Sequence, residues 1–196
     1  MILKPDEIRT KDVYKFSIGA VLPRPIAWVS TMDTAGNYNL APYSFFTVAS
    51  NNPFTLLFCP QDPAPGVSKD TLVNIEAIPE FVINITNEAT ADAMSASAAS
   101  LPHGQSEFEY ANVTPAASET ISVPRVAEAP AAFECKLHEI VRVGAGAVVM
   151  GRVTCIHIKD EFYDNGYVLW DKMGAIGRLA GNYYARVTDH FELRRG

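Results

Sequence analysis

Short β-branched and aromatic runs, punctuated by Pro, Gly, Asn and Asp, recur along almost the whole chain, and this rhythm commits most of it to sheet. The run Ile26-Ala27-Trp28-Val29-Ser30-Thr31 meets turn chemistry at Asp33-Thr34-Ala35-Gly36-Asn37 and resumes at Tyr38-Asn39-Leu40, which predicts a hairpin. Further strands are expected over Ser44 to Ser50, Phe54 to Cys59, Phe81 to Thr86, Ala132 to Val143, Val148 to Lys159 and Tyr167 to Trp170. Helical patterns are few. Val13, Phe16 and Ala20 are spaced for a short amphipathic helix over 11–20, ended by Pro23 and Pro25. Ser68-Lys69-Asp70-Thr71 opens a second helix with Leu72, Ile75 and Ile78 as its inner stripe, and the Ala/Ser-rich stretch from Glu88 to Ala99 makes a third, ending at Pro102. From His103 to Ala129 the pattern weakens around Pro115 and Pro124. That stretch is long for a passive connection, which suggests a lid over a site. With no repeat, low-complexity tract or linker, residues 1–196 read as one domain, a closed or nearly closed antiparallel barrel with helices on its rim.

Composition narrows the setting. Only 19% of the 196 residues are charged, against the ~25% usual in soluble domains, so part of the exterior is expected to lie against a partner. A formal net charge of −6 has the wrong sign for general adhesion to nucleic acid or anionic membrane. No apolar run approaches a membrane span and the N-terminus lacks the apolar core of a signal peptide, so a cytoplasmic location is expected. Cys59, Cys135 and Cys155 stand far apart without a CxxC motif or a Cys/His ligand pair, and read as buried thiols.

No GxSxG elbow, HExxH, Walker loop or GxGxxG is present. His103, His138, His157 and His190 are scattered, and a surface or satisfied role fits them best. A different grouping does stand out. Ser30, Thr31, Asn39, Ser44 and the helix start Lys69-Asp70-Thr71 fall at element ends beside the aromatics Trp28, Tyr43, Phe45 and Phe46. A phosphorylated aromatic cofactor needs both classes of residue. Its phosphate seeks hydroxyls, a cation and the free N–H groups of a helix N-terminus, and its ring seeks apolar walls with a few amides. Residue by residue, strand hydroxyls, an ordinary helix cap and core aromatics would account for the same set.

The stretch Pro23-Arg24-Pro25-Ile26-Ala27-Trp28-Val29-Ser30-Thr31, continued by Asn39-Leu40-Ala41-Pro42-Tyr43-Ser44-Phe45-Phe46, closely resembles the opening of the flavin reductase-like family of FMN-binding split barrels. Lys69-Asp70-Thr71-Leu72-Val73-Asn74-Ile75, Glu80-Phe81-Val82-Ile83-Asn84 and Ala131-Ala132-Phe133-Glu134-Cys135-Lys136-Leu137 resemble later family segments in the same order, so the likeness runs from about residue 10 to Tyr184. It implies a mainly β fold: a six-stranded antiparallel Greek-key split barrel with peripheral helices, assembled as a homodimer with FMN near the junction. Trp28, Ser30, Thr31, Lys69, Asp70 and Thr71 would then surround the phosphate and ribityl chain, and Asn39, Tyr43, Ser44 and Phe45 would lie along the isoalloxazine. Gly177-Arg178-Leu179 resembles the family's C-terminal Gly-Arg motif, with Arg178 placed near flavin or phosphate or in an intersubunit ion pair.

The activity implied is an FMN-dependent oxidoreductase that passes electrons from NADH or NADPH to a small-molecule or protein acceptor such as free flavin, a ferric chelate or a partner oxygenase. The cofactor carries the chemistry in such a protein, so no side chain is assigned as acid, base or nucleophile, and no metal is expected. A flavoredoxin-like FMN electron carrier and a non-catalytic ligand-binding barrel are the alternatives.

Overall fold

The computed structural model describes residues 1–64, 66–102 and 105–194, so His103 lies outside the described residues. In chain order the elements are α1 (Thr10–Ala20), β1 (Ala27–Met32), β2 (Tyr38–Tyr43), β3 (Phe46–Asn51), β4 (Phe54–Phe58), α2 (Asp70–Ala77), β5 (Glu80–Ile85) and α3 (Ala91–Ala96). There follow α4 (Glu107–Tyr110), β6 (Pro115–Ala116), β7 (Arg125–Val126), β8 (Ala131–Val143), β9 (Gly146–Ile158), β10 (Tyr163–Asp164), β11 (Tyr167–Val168), β12 (Ile176–Arg178) and β13 (Tyr184–Arg186).

Seven strands form one antiparallel sheet in the order β2-β1-β5-β8-β9-β4-β3. Its two edge strands, β2 and β3, are consecutive in the chain and joined through Ser44 and Phe45 alone, so the sheet must curl until its edges approach. That makes a barrel split between β2 and β3. Turn chemistry sets the first hairpin: Asp33 Oδ1 accepts the N–H groups of Ala35 and Asn37, and Gly36 takes a φ of 89° that a side chain would resist.

Alternation along the strands separates two cores. Ala27 and Val29 of β1 face inward with Leu56, Phe58, Phe81, Ile83, Cys135 and Val149, while Leu72 and Ile75 of α2 close the same cluster. Each large side chain buried this way stabilises the fold by about 1.5–3 kcal/mol. Trp28 and Leu40 face outward beneath Met94 of α3, Phe108 of α4, Val113 and Val126. Strand β1 is therefore covered on both faces. Gly151 of β9 has no Cβ where the Phe81 ring lies against it.

Several expectations need adjustment. The sheet has seven strands where the family resemblance implied six; β3, expected from the sequence over Ser44 to Ser50, is its half-exposed edge strand, with a bulge between Val48 and Ser50. Ser44 and Phe45 form a bend before β3 and do not begin it. The third helix is shorter than 88–99: a 3-10 turn over Glu88–Thr90 leads into α3, which stops at Ala96. The 103–129 stretch holds α4 and the small β6/β7 ladder. Of the cysteines only Cys135 is fully buried, while Cys59 and Cys155 are half-buried. No helix among the described residues is long and apolar enough to cross a membrane.

Candidate functional site

A cavity of about 600 Å³ opens beside the split in the barrel, lined by the end of β2, the Ser44-Phe45 bend, the start of α2, the turn after α3 and Glu107. That is a volume suited to a cofactor-sized ligand. At one part of its wall lies the α2 N-terminus. Leu72 and Val73 are the first residues to donate to a helical carbonyl, that of Lys69, so the N–H groups of Asp70 and Thr71, two residues that line the cavity, have no acceptor among the described residues. The Lys69 ammonium is half-buried there and makes no ion pair among the described residues. Unpaired N–H groups, a helix dipole and a cation together favour an anion.

Behind this anion seat the polar groups are locked. Thr71 Oγ1 accepts the Tyr43 hydroxyl at 2.9 Å and the Asn39 amide at 3.0 Å. Burial pushes the Tyr43 phenol up to about 12, with Asp70 and Glu107 adding to the effect against the Thr71 bond, so Tyr43 stays neutral and donates. Glu107 is nearly buried, accepts the Leu40 N–H at 3.0 Å and has its pKa raised mainly by burial. At the Ser44-Phe45 bend, neither backbone N–H finds an acceptor among the described residues. Phe45 supplies an apolar surface beside these donors.

Of the residues expected to bind a cofactor, Asn39, Tyr43, Ser44, Phe45, Lys69, Asp70 and Thr71 line this one cavity. Trp28, Ser30, Thr31 and Arg178 do not. Because both faces of β1 are covered, Trp28, Ser30 and Thr31 have no exposed surface and take internal partners. The Trp28 indole donates to Ser97 Oγ at 2.8 Å, Ser30 donates to the Pro124 carbonyl at 2.6 Å, and Thr31 accepts from the Asn74 amide at 3.1 Å. Trp28 still bears on the cavity through Ser97, which lines it. Arg178 donates to the Gly181 carbonyl and stacks over Tyr184 with Cζ 4.6 Å from the ring centroid.

Glu107 and the small-residue turn Ser97 to Leu101 line the cavity, and Arg24 stands behind its wall against Ser44; the sequence marks none of them as cofactor-binding. A run of Ala and Ser lets backbone approach a ligand, but it reads in sequence as helix former. Arg24 carried a clearer signal, a cation placed between two prolines at the entrance to an apolar strand. It is only 5% exposed, and its guanidinium reaches Ser44 Oγ at 3.3 Å.

A second polar cluster lies outside the cavity on the outer face of β8 and β9, where Glu134, Cys155 and His157 converge with ligand atoms within 4.8 Å. Sequence spacing gave no hint of it. The Glu134 oxygens already accept four hydrogen bonds, from the Glu119 and Thr120 N–H groups, the Thr120 hydroxyl and His157 Nε2. That saturation makes it a structural latch.

Residues 19–177 match the family described as flavin reductase like domain. An uncharacterized protein of Bacillus subtilis is 37% identical over 202 residues, covering 99% of this chain and 98% of the relative. Among solved structures, nitrilotriacetate monooxygenase component B from Bacillus cereus superposes with a TM-score of 0.95 at 37% identity, covering 98% of each chain. The 2-nitrobenzoate 2-nitroreductase of Pseudomonas fluorescens gives 0.92 at 31% identity, covering 100% of this chain and 96% of the other. With the family match spanning most of the chain and every strand of the barrel, the protein belongs to the flavin reductase-like domain family.

Proposed function

We propose that the protein is an FMN-dependent oxidoreductase that takes electrons from NADH or NADPH and delivers them to an acceptor. The observation that carries this reading is the meeting, in one cavity, of an anion seat at Lys69 and the α2 N-terminus with the unpaired Ser44 and Phe45 N–H groups. Lys69 and the Asp70 and Thr71 N–H groups would hold a phosphate, and that Lys69 finds no carboxylate partner among the described residues fits such a role. The Ser44-Phe45 bend would meet the polar edge of the ring, while Phe45 and Pro42 exclude water from its face. Bound FMN would supply the two-electron redox chemistry. The Tyr43-Thr71-Asn39 network keeps the anion seat rigid, and no side chain need move a proton for the reaction to proceed.

The 37% identity to a monooxygenase component B favours a partner oxygenase, or the flavin it consumes, as acceptor. The 31% identity to a nitroreductase supports a second reading, in which a nitroaromatic compound is reduced directly. We also read residues 1–196 as one domain acting as a homodimer. Exposed Tyr14, Phe16, Val48 and Val143 provide apolar surface that a second copy would cover. Anaerobic mixing of the FMN-loaded protein with NADH and with NADPH tests the donor: rapid loss of the oxidised flavin absorbance is expected with one of them. A flavoprotein inert to both is an electron carrier, and a protein that takes up no FMN overturns both redox readings.

A further inference from the structure

We propose that Arg24 is a positioning residue: by occupying the acceptor side of the Ser44 hydroxyl it directs the Ser44 proton into the cavity, and so raises the redox potential of the flavin bound there. This rests on the flavin reading above and adds to it a group that does not line the cavity itself.

The guanidinium is held from several sides. Nη1 donates to the Ile18 carbonyl at 2.8 Å and the Val21 carbonyl at 2.7 Å, both at the end of α1. Nη2 donates to the Leu179 carbonyl at 3.0 Å, and Nε donates to Ser44 Oγ at 3.3 Å. None of these acceptors is a carboxylate. An arginine keeps its proton in a protein, so a full positive charge sits nearly out of water, faced by the partial charges of carbonyls at the end of α1. Carbonyls orient such a charge without cancelling it. The same guanidinium lies with Cζ 6.0 Å from the centroid of the Phe45 ring, at the back of the cavity wall.

For Ser44 the consequence is one of direction. A hydroxyl has a single proton, and a guanidinium N–H can donate but never accept. Once Ser44 Oγ accepts from Arg24, its own proton must go elsewhere, and among the described residues the Ser44 hydroxyl donates to no protein acceptor. It lines the cavity, beside two backbone N–H groups that are likewise unpaired. The bend thus presents three donors to the cavity. Uptake of two electrons and one proton leaves the flavin ring anionic and richer in acceptor strength, so donors fixed in place favour the reduced form over the oxidised one. Without Arg24 the hydroxyl could rotate and turn its lone pairs to the ring.

The test is the midpoint potential of the FMN-loaded protein, measured by equilibrium titration against a reference dye. Ser44→Ala and Arg24→Met should each lower the ratio of reduced to oxidised flavin affinity about tenfold, which is about 30 mV for a two-electron couple. In the Ser44→Ala background, Arg24→Met should add less than half of the shift it causes alone, because the two act in series. An unchanged potential in Ser44→Ala overturns the inference even if Arg24→Met fails to fold, and full additivity overturns it by showing that Arg24 does not act through Ser44. Wild-type protein that takes up no FMN overturns the flavin reading, and this inference falls with it. FMN-loaded wild type and variants of equal potential overturn the inference alone.

Discussion

Replacing Lys69 by alanine separates phosphate recognition from fold stability. Lys69 is the N-cap residue of α2, but its side chain makes no capping hydrogen bond and its ammonium makes no ion pair among the described residues. Removing it costs the folded state little, within about 0.5 kcal/mol for a substitution that breaks no buried contact. A phosphate seated on Asp70 and Thr71, by contrast, would lose one charge-assisted hydrogen bond, worth roughly 1.5–3 kcal/mol. That is roughly a 10- to 150-fold rise in Kd. Isothermal calorimetry of FMN and of riboflavin, which carries the same ring without phosphate, reads the two parts separately. FMN affinity should fall in Lys69→Ala, riboflavin affinity should hold, and the FMN difference should shrink as salt is raised, since the ammonium is only half-buried. Equal losses for FMN and riboflavin would place Lys69 at the ring, and unchanged FMN affinity with an unchanged melting temperature would remove it from the site.

Thr71→Val deprives the buried Tyr43 hydroxyl and the Asn39 amide of their shared acceptor, so thermal unfolding should show a loss of about 1–3 kcal/mol together with weaker FMN binding. Gly151→Ala places a Cβ against the Phe81 ring and Cys135 inside the barrel, and chemical denaturation should report about 1–3 kcal/mol of overpacking with little effect on the cavity. For Glu134, burial alone would raise the pKa, but its bonds from Thr120, Glu119 and His157 hold the carboxyl down to about 2. A pKa depressed in the folded state gives stability present above the unfolded value near 4.5 and lost as pH falls toward about 2. Acid denaturation of Glu134→Gln, followed by circular dichroism, should therefore show lower stability at neutral pH and a shallower loss across that window. A wild-type slope retained in the variant would place the acid-sensitive group elsewhere.

Strand positions were readable because half-buried strands alternate and their turns use specific residues. The Ile26 to Leu40 hairpin, with Asp33 and Gly36 between its strands, shows both signals. Helix α2 was readable for the same reason: Leu72 and Ile75 fall on one face. Edge strand β3 was expected two residues early, from Ser44, because the hydroxyl and aromatic of the Ser44-Phe45 bend look like a continuation of the strand pattern. The site divides along a similar line. Asn39, Tyr43, Ser44 and Lys69 to Thr71 sit at element ends, where side chains and unpaired backbone groups reach a ligand. Trp28, Ser30 and Thr31 carry the same chemistry in the middle of β1, and only three-dimensional packing reveals that this strand is buried on both faces. Arg24 shows in the sequence as a cation between two prolines, but what it holds does not. Its partners at Ser44 and Leu179 are 20 and 155 residues away, and no local pattern encodes such a meeting.

The stretch read as a lid is, for most of its described length, a strap. Ser122 N–H and hydroxyl donate to Glu80, Glu119 and Thr120 donate to Glu134, the Pro124 carbonyl accepts from Ser30, and the Val126 N–H donates to Asn84. These anchors lie on the outer face of β1, β5 and β8, and Val123 is buried against Val82 and Ala132 beneath them. A segment tied by that many bonds to buried groups cannot open on ligand entry without exposing unpaired polar atoms. Among its described residues only Glu107 reaches the cavity, where it forms part of the wall with Leu101 from just before the stretch. If this region selects the electron acceptor, the choice is made there, by a buried carboxyl with a raised pKa and an apolar side chain beside it. Substitutions at Ser118 to Val126 should then change stability and leave acceptor preference intact, while Glu107→Gln and Leu101→Ala should change the ratio of rates between a nitroaromatic acceptor and free flavin. A shift in acceptor preference from the strap, with none from Glu107 or Leu101, would restore the lid.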